Sequence, residues 1–117
     1  MKYTGSCHCQ SVKFEFESEE IKSALKCNCS ICIRKNAVMS QPYFSKPAFK
    51  IISGENELST YQWGDKDVNH YFCKHCGVHP FHDTTYEPGK YRVNLNCVEQ
   101  VNHGALDIHY FDGRNEL

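Results

Sequence analysis

Alternation of apolar and polar residues is the main periodic pattern along the chain. In residues 11–17, the apolar side chains of Val12, Phe14 and Phe16 fall on one face of an extended chain, and polar side chains fall on the other. Residues 90–97 alternate in the same way. The pattern predicts two half-buried strands, and in the second the inward positions are Tyr91, Val93, Leu95 and Cys97.

Shorter apolar runs between turn signals predict further strands. The turn signals are rich in Gly, Pro, Asn and Asp, which favour the backbone conformations of tight turns. Many short strands separated by turns are typical of a mainly β domain. The predicted short strands cover residues 24–27, 37–40, 49–53, 58–63, 68–72, 80–84 and 108–111.

Little helix is expected. Residues 30–35 are the one helical candidate, a turn or two with Asn28 or Ser30 available as the N-cap. Residues 114–117 are expected to fray, as chain ends commonly do.

Length and composition indicate one ordinary globular domain, residues 1–117. The chain is 40% hydrophobic and 23% charged, with no apolar run of membrane-spanning length. Residues 1–6 lack the apolar stretch of a signal peptide, so we expect a reducing cytoplasm. The alternative is a secreted disulfide framework, which an even cysteine count in a short chain also allows.

Seven of the eight cysteines fall into three tight clusters with metal-ligand spacing. Thiolates one or three positions apart can converge on one tetrahedral ion, whereas disulfides would gain little from closing such short loops. The clusters are CxC at Cys7 and Cys9, CxCxxC at Cys27, Cys29 and Cys32, and CxxCG at Cys73, Cys76 and Gly77.

The seven clustered cysteines divide naturally into four and three. A structural zinc takes four protein ligands, and a catalytic zinc takes three and keeps one position open. The two pairs, CxC and CxxCG, can form a closed Cys₄ site, in which Gly77 would supply a positive φ at the turn. The CxCxxC cluster supplies an open Cys₃ site, where a helix start would bring the Cys32 sulfur to those of Cys27 and Cys29.

Two other arrangements remain open at this point. A histidine could close the second site and make it purely structural, with His70, His79 and His82 as candidates. Alternatively, the chain holds a single metal and the CxCxxC cysteines are free or redox-active.

An open thiolate site suits a small thiol as its ligand. Soft thiolates favour zinc, and a thiol that binds zinc is deprotonated at neutral pH. Arg34 and Lys35 follow Cys32 and could meet an anionic ligand, and His79 and His82 could hydrogen-bond an oxyanion or a carboxylate. Cys97 is expected to be a buried, inert thiol.

Net charge disfavours nucleic acid as a partner. The formal charge is −1, and the longest basic run is a pair of residues. Seven thiolates and two Zn²⁺ would bring the charge to about −4. A DNA-binding footprint is therefore not expected, and neither is membrane binding.

Five sequence segments together resemble the family of glutathione-dependent formaldehyde-activating enzymes, also called the centromere protein V-like family. The resemblance extends over nearly the whole chain, and the order CxC, CxCxxC, CxxCG is its most specific part. The segments are GSCHCQSVKFEF at 5–16, CNCSICIRK at 27–35, YQWGDKDVNHYFCKHCGVHPF at 61–81, VNLNCVE at 93–99 and HYFDGRN at 109–115.

This resemblance implies a β-tent fold, in which small antiparallel sheets lean together around a structural zinc. It implies that the structural zinc is held by Cys7, Cys9, Cys73 and Cys76, and a second zinc by Cys27, Cys29 and Cys32. It also implies the addition of glutathione to formaldehyde, giving S-(hydroxymethyl)glutathione, which is a carbon–sulfur lyase reaction in reverse.

Three functions follow as hypotheses. The first is a zinc-dependent carbon–sulfur lyase in which Cys27, Cys29 and Cys32 form the catalytic centre for a small thiol and a small aldehyde. The second is a carrier that binds thiol or aldehyde without turnover. The third is an interaction module in which zinc only holds the fold.

Overall fold

The computed structural model of the protein describes residues 1–116 and contains three small β-sheets. Two of them are antiparallel and the third is a parallel pair. The first sheet has the order β1 (Lys2–Ser6), β2 (Lys13–Glu17), β4 (Phe49–Ser53); the parallel pair is β3 (Ser23–Cys27) with β9 (Asp107–Phe111); the third sheet has the order β5 (Leu58–Tyr61), β6 (Val68–Cys73), β7 (Phe81–Thr84), β8 (Tyr91–Val93).

Two short α-helices accompany the sheets, α1 (Ser30–Lys35) and α2 (Gly113–Glu116). The bounds of α1 are those predicted, but its N-cap is Cys29, without a side-chain capping bond. Asn28 is engaged elsewhere, because its amide donates to Asp112 Oδ1 at 2.9 Å and its Oδ1 accepts from Arg114 N at 2.9 Å. Asn28 therefore ties the start of α1 to α2. Within residues 1–116, three 3₁₀ turns complete the helical content, at Glu55–Glu57, Leu95–Cys97 and His103–Ala105.

Most predicted strands are present, and the mainly β class is confirmed. The strand predicted at 90–97 ends at Val93, because Asn94 Oδ1 accepts a hydrogen bond from Asn96 N at 3.1 Å and the chain turns into a 3₁₀ turn. Residues 37–40 form only isolated bridges at Met39. Strand β1 was not predicted, α2 lies where fraying was expected, and Leu117 lies outside the described residues.

Buried aromatic rings join the first sheet to the third. Phe14 of β2 and Phe81 of β7 are fully buried, and their rings meet edge to face at a centroid distance of 5.3 Å. Gly5 of β1 lies over the Phe14 ring, where an added Cβ would collide with the ring atom Cζ. Only a glycine allows this approach, so the strand that precedes Cys7 is held directly against the core.

The helices of residues 1–116 are short, and none has the length and apolar character needed to cross a bilayer.

Candidate metal centres

The first cysteine group joins two sheets. Cys7 and Cys9 lie in the loop between β1 and β2, Cys73 is the last residue of β6, and Cys76 lies in the turn before β7. All four sulfur atoms lie within 4.8 Å of one another. The structure therefore brings together the two pairs that spacing assigned to one site.

Sulfur separations in this group fit a tetrahedral ion. Cys9 Sγ lies 3.7 Å from Cys7 Sγ and 3.6 Å from Cys73 Sγ. Four sulfurs at about 2.3 Å from a central metal are about 3.8 Å apart. Cys7 and Cys73 are buried, with 2% and 1% of their surface exposed. Cys76 is partly buried and Cys9 is exposed. The group could hold a metal ion at the edge of the hydrophobic core, to which Cys7 and Cys73 belong.

The turns after each cysteine pair position backbone N–H groups near sulfur. Gln10 follows the first pair with φ of 66°, and Gly77 follows the second with φ of 78°, as predicted for Gly77. Val12 N donates to Cys7 Sγ at 3.3 Å. Such N–H groups stabilise a thiolate, which is the ligand form of cysteine.

The thiols of this group do not ionise together on their own. Burial raises the pKa of Cys7 to about 11. Burial also acts to raise the pKa of Cys76, but the backbone N–H groups of Cys9 and Val78 outweigh it and lower that pKa to about 6. A bound cation would be needed to convert all four to thiolates at neutral pH.

The second cysteine group is local. Cys27 ends β3, Cys29 caps α1 and Cys32 lies within α1, and their sulfurs also lie within 4.8 Å of one another. Cys29 N donates to Cys27 Sγ at 3.4 Å. The start of α1 thus brings the Cys32 sulfur close to those of Cys27 and Cys29, as the spacing predicted. This group, too, could hold a metal ion.

Only cysteines contribute to this second group within residues 1–116. The three candidates for closing the site are buried beside one another instead: His70 in β6, His82 in β7, and His79 in the segment that joins these two strands. The hypothesis that a histidine is the fourth ligand therefore lacks support in the geometry. Burial raises the pKa of Cys32 to about 12, and the charge of Lys35 opposes that shift.

Two cavities of different size meet the second group, and both are lined by Cys27 and Cys32. The larger is an open cleft of about 320 Å³ that also contacts Asn28, Tyr110 and Asp112. The smaller, about 50 Å³, extends toward the buried histidines. A ligand could therefore reach these sulfurs from two sides.

Comparison with known proteins agrees with this arrangement. The sequence matches the family described as glutathione-dependent formaldehyde-activating enzyme over residues 2–114. This protein belongs to that family. It is also similar to a Rhodobacter sphaeroides protein of known crystal structure, with a TM-score of 0.79 and 29% identity, in a match that covers 92% of this chain and 99% of that chain. The resemblance noted in the cysteine motifs is confirmed.

Several other residues considered for the chemistry of this formaldehyde-activating enzyme family member belong to neither group. Arg34 is exposed and donates to Ser30 O of its own helix at 2.8 Å. Cys97 is partly buried in a 3₁₀ turn, and burial raises its pKa to about 12, in keeping with an inert thiol. Lys35, by contrast, turns inward toward the histidines.

Sequence reasoning missed two residues near the small cavity, Tyr43 and Arg92. Arg92 lies over the Tyr43 ring, with Cζ 4.3 Å from the ring centroid, and its Nη2 donates to Gln41 O at 2.7 Å. Arg92 occupies a polar position of an alternating strand, where a charged side chain is ordinary. No sequence signal distinguishes it from a solvated arginine.

Proposed function

We propose that the protein adds a small thiol such as glutathione to a small aldehyde such as formaldehyde, with two bound zinc ions. In this proposal Cys7, Cys9, Cys73 and Cys76 hold a structural zinc, and Cys27, Cys29 and Cys32 hold a second zinc with an open position. The observation that carries the proposal is that, within residues 1–116, three sulfurs and no fourth ligand converge beside two cavities. Family membership supports the choice of reactants.

The choice of zinc rests on the donor set. Both groups consist of thiolate-forming side chains within 4.8 Å of one another, and soft sulfur donors in a tetrahedral arrangement favour zinc among common divalent ions. When bound to the open group, zinc would lower the pKa of an incoming thiol and so keep it as the nucleophilic thiolate. A reducing cytoplasm would keep all seven cysteines available as ligands.

The larger cleft is the proposed thiol site. Its volume of about 320 Å³ is at the lower end of the range for small-molecule sites. The cleft combines the polar side chains of Asn28 and Asp112 with the aromatic side chains of Tyr110 and Phe111. These residues would bind the body of a peptide-like thiol while its sulfur points toward the cysteines.

The proposed reaction forms one bond and moves one proton. The thiol gives up its proton on binding, its sulfur attacks the carbonyl carbon, and the π electrons of the C=O bond move to oxygen. The resulting alkoxide takes up a proton, so the product is an S-(hydroxymethyl) thiol with no change of oxidation state in the protein. The reverse reaction breaks a carbon–sulfur bond, as in a lyase. Thiols add readily to formaldehyde, so stabilisation of a few kcal/mol would give a rate enhancement of about 10²–10³.

The test compares Cys29→Ser with Cys97→Ser in a hydroxymethylthiol assay with purified, zinc-loaded protein. Cys97 belongs to neither group, so its replacement controls for the loss of a thiol. Cys29→Ser is expected to reduce the rate to the uncatalysed value. Cys97→Ser is expected to keep the wild-type rate. Equal rates in wild type and Cys29→Ser would reject the proposal. Thiol binding without rate enhancement in wild type would favour a carrier.

A further inference from the structure

Lys35 is held by two buried histidines close to the open cysteine group. Its ammonium donates to His70 Nδ1 at 2.9 Å and to His79 Nε2 at 3.3 Å. Only 3% of His70 and 6% of His79 is exposed. The lysine side chain, normally mobile, is therefore fixed at its charged end.

The hydrogen bonds define which group is the donor. His79 Nδ1 lies 2.6 Å from the carbonyl oxygen of Tyr71 and must donate its proton to it, which leaves Nε2 as an acceptor for Lys35. Burial lowers the pKa of His70 to about 4 and of His79 to about 3, with Lys35 contributing, so both imidazoles are neutral acceptors at neutral pH. An ammonium has three N–H groups. The third has no partner within residues 1–116.

The small cavity of about 50 Å³ has Cys27 and Cys32 on one side, and Lys35, His82 and Arg92 also line it. Two buried nitrogen atoms of these lining residues, His82 Nδ1 and Arg92 Nε, have no hydrogen-bond partner among residues 1–116. Buried polar atoms are nearly always paired, so these two atoms are unsatisfied hydrogen-bonding groups in residues that line the cavity.

The charges around this cavity favour an oxygen atom that carries negative charge. Neither Lys35 nor Arg92 forms an ion pair with a carboxylate within residues 1–116. Space for one water corresponds to about 10–15 Å³, so a cavity of about 50 Å³ admits only a few heavy atoms. The cavity is too small for a glutathione-sized molecule.

We propose that this cavity is the aldehyde subsite, in which Lys35 is a catalytic residue that donates to the carbonyl oxygen as it becomes an alkoxide, assisted by Arg92 and His82. His70 and His79 act as positioning residues for the Lys35 ammonium. The substrates are then one- and two-carbon aldehydes. This inference rests on the proposed function, because an aldehyde bound in the cavity is the electrophile that the thiolate at the open cysteine group would attack.

The competing explanation is that Lys35 only neutralises the three thiolates. Burial lowers the pKa of Lys35, and negative charge on Cys32, Cys29 and Cys27 opposes that shift, so Lys35 is placed to interact with the charge of the thiolates. If Lys35 acted only on the thiolates, its loss would weaken metal and thiol binding. If it acts on the aldehyde oxygen, its loss would spare both.

The first experiment replaces Lys35 by methionine and compares it with Arg34→Met. Arg34 carries the same charge one position earlier but is exposed, and its guanidinium donates to Ser30 O of its own helix. Lys35→Met is expected to lower kcat/KM for formaldehyde about 100-fold, the effect of removing one oxyanion donor. Metal content and the Kd for glutathione are expected to change by less than about twofold, and Arg34→Met is expected to match wild type. Unchanged kcat/KM in Lys35→Met, or loss of metal or thiol affinity, would overturn the proposal.

A second readout does not depend on turnover. Isotope-labelled formate, a one-carbon oxyanion, is titrated into zinc-loaded protein and followed by NMR. Binding is expected in wild type and Arg34→Met and to be at least about tenfold weaker in Lys35→Met. If formate binds and needs Lys35 to do so, but the protein does not accelerate the addition, the proposed function is rejected and the subsite is retained. If the protein accelerates the addition but formate binds equally well in wild type and Lys35→Met, the subsite is rejected and the proposed function is retained.

A third measurement uses only wild-type protein and so does not depend on the folding of a variant. The rate enhancement over the uncatalysed addition is compared for formaldehyde, acetaldehyde and butanal. It is expected to fall at least about tenfold by butanal, since the longer chain does not fit the cavity. Equal enhancement for all three aldehydes would contradict the assignment.

Discussion

The two cysteine groups differ first in how much chain separates their sulfurs. Cys9 and Cys73 are 64 positions apart, and their group connects the first sheet to the third. Cys27 and Cys32 lie within one strand end and one helical turn. Closing a long loop to bring distant segments together costs conformational entropy when the chain folds. The cysteines of the second group are already brought close by a single local turn. Metal binding is therefore expected to be tied to global folding at the first group and not at the second.

The groups also differ in what surrounds them. Cys7 and Cys73 belong to the hydrophobic core cluster, close to the aromatic contacts between the sheets. Cys27 and Cys32 line both the cleft and the small cavity. A four-sulfur group fills the coordination shell of a tetrahedral ion and is suited to stability, whereas a three-sulfur group that lines cavities leaves a position open and is suited to chemistry. The following predictions test whether that division is real.

The largest effect is expected for Cys76→Ser. Structural zinc contributes on the order of 10 kcal/mol to the folding of small zinc domains, which is comparable to the whole stability of a typical domain. Cys76→Ser is therefore expected to abolish the cooperative thermal transition in circular dichroism. Cys97→Ser is the matched control and is expected to melt within a few degrees of wild type.

A folded Cys76→Ser variant with a normal melting temperature would contradict the assignment of a structural ion to the first group. A similar collapse in Cys97→Ser would show that thiol loss in the core, not ligand loss, causes the effect.

The next effect concerns Cys29→Ser, now measured by stability and metal content. Because the second group is local, the variant is expected to keep its cooperative melt, with destabilisation of about 1–2 kcal/mol. Zinc content by mass spectrometry is expected to fall from two ions per chain to one. If Cys29→Ser and Cys76→Ser melt alike, the two groups do not divide the work as proposed.

Much of this contrast could be predicted from the sequence because both groups depend on short-range spacing. Cys-x-Cys and Cys-x-x-Cys bring sulfurs together through local turns, and Gly77 identifies one such turn by its positive φ. The bounds of α1 followed from the same local reasoning. The pairing of CxC with CxxCG required only a count of ligands.

What could not be predicted depends on long-range contacts. The parallel pairing of β3 with β9 joins segments from opposite ends of the chain and has no local sequence signal. The contact of Lys35 with His70 spans 35 positions. Arg92 became relevant only when the third sheet placed it beside the small cavity. Periodicity predicts which face is buried but not which buried polar groups meet.

A smaller effect is expected in the order of metal release. The second group has three ligands and borders two cavities, so a chelator is expected to remove its ion at least about tenfold faster than the ion of the first group. Zinc release is followed with a colorimetric chelator while circular dichroism records folding. The first ion is expected to leave without a change in the spectrum, and the second is expected to leave with unfolding. Simultaneous release of both ions would contradict the comparison.

The smallest effect is expected for Tyr110→Ala, which tests whether the cleft beside the second group binds the thiol. Tyr110 is 78% exposed and lines that cleft, so its ring has no role in the core. Loss of an aromatic contact of about 1 kcal/mol is expected to raise KM for glutathione about 3- to 10-fold, with kcat for formaldehyde addition and the melting temperature unchanged. Tyr86→Ala is the matched control, because Tyr86 is 68% exposed and lies outside the lining of the cleft. Equal KM values for glutathione in the two variants would show that the thiol does not bind in this cleft. The thiol site proposed beside the second cysteine group would then be wrong.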